Sequence, residues 1–180
     1  MVGGLLLLAF AYLAVGQAAA NRNGAQTAAD AAALAAALDT RDQLAGQWVD
    51  DVLDPTKWRD IFDGNVPLDD SCGRAAELAA QNDAGDVDCQ AAGPLRYEVT
   101  LTTNKSVGDS IVPGTENVHS TASAVAEIEP LCEFELPGAG AGTDVLPELD
   151  CKDGITWPLD PTDLTDLPEP KDLFDVHLAD

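Results

Sequence analysis

Positive charge is scarce in this chain. Nine Lys and Arg stand against 32 Asp and Glu, for a net charge of −23. That balance excludes nucleic acid as a partner, because binding phosphates takes clustered Lys and Arg, and it disfavours docking on anionic lipid surfaces for the same reason. The motifs of common enzyme chemistries are missing too. There is no G-x-S-x-G, no H-E-x-x-H, no Gly-rich phosphate loop and no dinucleotide fingerprint, so nucleophile–base pairs and phosphate cradles have no sequence support. Histidine occurs only at His119 and His177, both in or beside expected strands, where a lone imidazole is an edge or surface residue more often than a base. No enzymatic activity and no cofactor are expected. A hydrolase using two carboxylates would need a located pair, and acidic residues are too plentiful for any pair to stand out.

Two acidic clusters, Asn82, Asp83, Asp86 and Asp88 and then Asp160, Asp163 and Asp166, lack the spacing of an EF-hand loop. They read as solvated faces, and no metal site is expected. The aromatic content is 5%, so the core has few large anchors, and Trp48, Trp58 and Trp157 are expected to serve in it or to dock a helix. CxxC pairs are also absent, which disfavours a zinc site built on Cys72, Cys89, Cys132 and Cys151. An even cysteine count beside an export or membrane segment reads instead as two disulfides formed in an oxidising compartment. Three pairings are possible. Short loops favour Cys72–Cys89 and Cys132–Cys151.

Charge is missing altogether from Met1 to Ala20 (MVGGLLLLAFAYLAVGQAAA). At a rise of about 1.5 Å per residue, roughly 20 apolar residues cross a bilayer's hydrocarbon core, so residues 1–20 are expected to form a transmembrane helix. A secretory signal would place basic residues ahead of Leu5, whereas the first positive charge is Arg22. The expectation is either that further residues precede Met1 or that the chain is a processed form. Ala18-Ala19-Ala20 still fits a small-residue cleavage site, which keeps open a secreted acidic binding module released after Ala20.

Helix propensity stays high beyond Ala20, through Ala25, Ala28, Ala29 and the run Ala31–Ala37, interrupted only by Gly24. Gly16, Ala20, Gly24, Ala28, Ala32 and Ala36 recur every fourth residue, a stripe that permits close helix packing. Thr27, Asp30, Leu34, Leu38 and Arg41 form a second, mixed face. Asn21-Arg22-Asn23-Gly24 and the following Gln26-Thr27-Ala28-Ala29-Asp30-Ala31-Ala32-Ala33-Leu34-Ala35-Ala36-Ala37, preceded by an apolar helix, resemble the N-terminal region of TadE/TadG-like proteins of Flp/Tad pilus-assembly systems, most closely the actinobacterial TadG-related type. The resemblance covers about residues 1–40. It implies a membrane-anchored, pilin-like structural or accessory subunit of a Tad/Flp-type pilus or secretion apparatus. Its head would lie outside the cytoplasm, on the cell membrane or within an extracellular filament, and its partners would be the membrane, other pilin-like or Tad assembly subunits, or further copies of itself. One feature departs from the family pattern: Gly16-Gln17 sits at the far end of the apolar helix, so it does not serve as the family's usual Gly-Gln segment.

Leu44, Trp48 and Val52 carry the helical pattern on until Asp54-Pro55, giving a continuation over 21–53 and a head over 54–180. Short helices are expected around Trp58–Phe62 and from Cys72 to Asn82, the second started by Asp70 or Ser71. Arg96–Thr102 alternates as a strand. Val118–Ile128 is its partner, with Val118, Ala122, Ala124, Ala126 and Ile128 facing inward. Leu131–Leu136 would extend the sheet, Pro137–Thr143 would be a loop, and Asp172–Leu178 a terminal strand. The expected fold class is α+β, a long hydrophobic and Ala-rich helix feeding a small head with short helices and an antiparallel sheet, the pilin-like arrangement.

Overall fold

The computed structural model describes residues 2–106, 117–138 and 145–179. Helix α1 runs unbroken over Val2–Asp50, 49 residues and so about 73 Å long. Two short helices follow, α2 (Trp58–Phe62) and α3 (Cys72–Gln81). The sheet strands are β1 (Ala84–Ala91), β2 (Arg96–Ser106) and β3 (His119–Pro130). Three short strands come next, β4 (Cys132–Glu133), β5 (Leu149–Cys151) and β6 (Ile155–Trp157), and then α4 (Pro170–Leu173) and β7 (Phe174–Leu178). The class is α+β, with a long N-terminal helix, short helices and antiparallel sheet.

The main sheet is antiparallel in the order β1-β2-β3-β7. One face is apolar and the other polar, as strict alternation requires. Tyr97, Val99 and Leu101 of β2 and Ala124, Ala126 and Ile128 of β3 are buried beneath α1. On the opposite face Thr100 and Thr102 meet Ser123 and Thr121 across the strands, with hydroxyl oxygens 2.7 and 3.2 Å apart. Helix α1 buries Ala25, Ala28, Ala29, Ala32, Ala33, Ala36 and Ala37 completely, where it packs on the sheet and on α3. The three-four spacing sets this stripe, and methyl-sized side chains let the helix lie close on the strands. Below it, Thr40 Oγ1 lies 2.8 Å from Ser71 Oγ and 2.9 Å from Tyr97 Oη. This buried polar triad is hydrogen-bonded throughout, so it ties α1 to the start of α3 and to β2 with its hydroxyls paired.

The last turns of α1 and the turn after it seat Leu44, Trp48 and Val52 in the core beside an aromatic cluster. Trp48 and Trp58 have ring centroids 5.5 Å apart, Trp58 and Phe134 5.3 Å, and Phe62 and Phe174 5.2 Å. Trp157 is only half-buried. Disulfides join Cys72 to Cys89 and Cys132 to Cys151, the two pairs that loop length favours. The first pins α3 to β1. The second links β4 to β5, where the two cysteines are register partners.

Several expectations need correction. The stretch holding Asp83, Asp86 and Asp88 is not merely a solvated cluster, because most of it forms edge strand β1. Asp83 and Asp86 take φ of 55° and 48°, and the register with β2 shifts between Gly85 and Asp88. Aspartate tolerates that left-handed backbone, so a bulge lets an acidic segment enter a sheet. Leu131–Leu136 does not extend the main sheet. Its Cys132–Glu133 pairs with β5 in a separate three-stranded sheet. Val118 lies outside β3 and is 48% exposed rather than inward-facing. Asp172 belongs to α4, where Glu169 and Asp172 form a capping box, so the terminal strand starts at Phe174. Ser71 does not cap α3 with its hydroxyl, which is committed to the Thr40 contact, and Asp70 accepts the Cys72 N–H instead at 3.0 Å. Most of Asn104–Asn117 and residues 139–143 of the expected loop lie outside the described residues.

Candidate assembly surface

Asn21 divides α1 into two halves of different character. Its amide nitrogen donates to Lys105 O and Ser106 O, both at 3.0 Å, and its carbonyl oxygen accepts from Thr103 Oγ1 at 3.2 Å. These bonds clamp the end of β2 to the helix. One turn on, Gln26 donates to Ser123 O at 3.2 Å. From Ala25 onward the helix is the spine of the head.

Before Asn21 every residue whose side chain is described is exposed. Leu5 is 69% exposed, Leu8 65%, Tyr12 82% and Val15 70%. Apolar side chains presented around a helix are characteristic of a segment that something else covers. Polar backbone groups are already paired within the helix, so it can enter an apolar surrounding at no backbone cost. Among the described residues no helix is long and apolar enough to cross a membrane. The expected span over 1–20 includes Met1 and the side chains of Val2, Leu7, Phe10, Ala11, Leu13, Ala14 and Gln17, which lie outside the described residues.

The expected small-residue stripe is split at the same point. Ala28, Ala32 and Ala36 are fully buried within the chain, so they cannot meet another subunit. Gly16, Ala20 and Gly24 are exposed. Spacing alone identifies a face that allows close approach, but it does not say what approaches.

The acidic loops do structural work. Hydrogen bonds from the Thr162 hydroxyl and backbone hold the Asp160 carboxyl below the ordinary carboxylate range. Asp163 accepts likewise from Thr165 Oγ1 at 2.6 Å, and Asp83 pairs with Lys105 at 2.6 Å. A lowered carboxyl contributes stability above its unfolded pKa that disappears as pH falls through the folded value. His119 places Nδ1 2.7 Å from Thr103 O, a strand-end contact with no nucleophile in it. His177 lies on the polar face of the main sheet, its Nδ1 3.1 Å from Asp175 Oδ2, an association that residue spacing did not single out.

Residues 1–39 match the family of putative Flp pilus-assembly TadE/G-like proteins. The match is to TadE/G-like proteins together and does not separate out a TadG subtype. It spans the exposed half of α1 and runs into the Ala-rich half that covers the sheet, while residues 40–180 lie outside it. No curated protein and no solved structure matches the chain. The TadE/G-like segment points to a pilus-related, non-enzymatic structural or accessory role, to association with other pilus components, and to the cell envelope or the pilus as its place.

Proposed function

We propose that the chain is an envelope-anchored, pilin-like structural or accessory subunit of a Tad-type pilus or secretion apparatus. The exposed apolar half of α1 lies in the membrane or among other subunits' helices, and the disulfide-bonded head stands outside the cytoplasm. The observation that carries this is the change at Asn21: one continuous helix, inside the matched family segment, is bare and apolar before that residue and buried by the head after it. Two disulfides fit an oxidising compartment. The exposed Gly16, Ala20 and Gly24 supply the part of the small-residue stripe still free for helix–helix contact.

One observation favours the alternative of a released acidic module. The head's first side-chain contacts begin at Asn21, so a cut after Ala20 would spare its core. Against it, such a cut would divide an uninterrupted helix and the family match together. Replacing Leu5, Leu8 and Tyr12 together by Asp tests the choice. Aspartate within an apolar span costs about 2.5–3.5 kcal/mol per residue on insertion scales, so the triple variant is expected to leave the envelope fraction. Its head should melt at the unaltered temperature, because none of these side chains touches it. Full retention in the envelope, or a native N-terminal mass beginning at Asn21, would contradict the proposal.

A further inference from the structure

We propose that Glu129, Asp175 and His177 form a binding site for a divalent transition ion of the zinc class on the polar face of the main sheet. One ligand atom from each residue can be chosen so that all three lie within 4.8 Å of one another. The sheet itself makes this arrangement. Glu129 of β3 is the register partner of Asp175 of β7, which sets two carboxylates side by side. His177 is two residues further along β7, so the pleat returns it to the same face. Placement on two hydrogen-bonded strands fixes the three Cα positions, and rigid elements of this kind hold binding groups better than loops do.

The local charge favours a cation there. Like charges directly opposite one another in an antiparallel pair are destabilising, and Glu129 opposite Asp175 is such a pair. The Lys152 ammonium meets that demand in part, 2.7 Å from Glu129 Oε1. Glu127, the neighbouring carboxylate on the same face, is already paired with Arg96 and is not a ligand.

The donor set selects the ion. One imidazole with two carboxylates suits zinc and its neighbours in the first transition row. Calcium needs six to eight oxygens, more than these side chains supply. Tetrahedral zinc bonds of about 2.0–2.2 Å place ligand atoms roughly 3.3–3.5 Å apart, so the exposed side chains close by about an ångström. The His177–Asp175 contact opens on Nδ1 binding, or stays to orient the ring if Nε2 is the ligand.

The test is calorimetric titration of zinc chloride into the full chain, stripped with chelator and held in mild detergent. One saturable site is expected, with calcium chloride binding at least tenfold more weakly. His177→Ala and Asp175→Asn should each weaken zinc by about tenfold or more, and both side chains are exposed enough (44% and 54%) for the variants to fold. Lys152→Ala should tighten binding by removing the competing ammonium, and His119→Ala should leave it unchanged. No saturable zinc binding up to about 1 mM, affinity unchanged in His177→Ala, or equal affinity for calcium would overturn the proposal, the last two because they describe diffuse attraction to an acidic surface.

Discussion

Trp48→Ala is expected to destabilise the folded chain by about 3–5 kcal/mol, the usual cost of truncating a buried aromatic residue to Ala. Trp48 is fully buried and packs on Trp58 at 5.5 Å, where the long helix meets the aromatic cluster. For a chain of this size the loss corresponds to a melting temperature lower by roughly 6–20 °C. Trp48→Phe should cost much less, about 1–2 kcal/mol, because its Nε1 is buried without a hydrogen-bond partner among the described residues and removing an unsatisfied donor relieves a penalty. Denaturant titration of both variants checks this. An unchanged midpoint in Trp48→Ala would mean that the helix is not held to the head at this point.

Removing the Cys72–Cys89 disulfide is expected to cost about 3 kcal/mol, the loop-closure value for a separation near 17 residues. The effect should be uneven. Strand β1 is an edge strand with a bulge, held on its outer side chiefly by this link to α3. In a Cys72→Ala/Cys89→Ala variant its amides should exchange faster than those of β3, which is paired on both sides. Hydrogen exchange resolved by segment measures the difference. Equal acceleration across the sheet, or none in β1, would show that the disulfide does not secure the edge.

The helix and the centre of the sheet were legible in the residues. High helix propensity through Ala37 gives the long α1, and the alternation over Arg96–Thr102 gives β2, but the stripe of small residues reads as a helix-packing face, whereas its Ala28, Ala32 and Ala36 are buried within the chain's own head. Strand β1 was hidden because Gly85, Asp86 and Asp88 belong to types depleted in strands, and what holds them is a partner strand, a bulge and a disulfide. The small sheet was hidden because strands of two or three residues carry no period. The free apolar surface was legible as a run, but its boundary was not. Asn21 becomes a boundary only through β2 carbonyls more than 80 residues away in sequence. The triad of Glu129, Asp175 and His177 was missed for the same reason, since strand register brings it together and spacing does not.

A photo-crosslinking residue placed at position 12 of the native protein, in intact cells, tests most directly whether the exposed half of α1 is covered in an envelope or filament. The predicted result is efficient crosslinking to lipid or to the apolar helix of a neighbouring subunit, while the same probe at exposed Thr121 on the head's polar face gives neither. Mature protein lacking residue 12, or a probe there that reacts only with water, would contradict it.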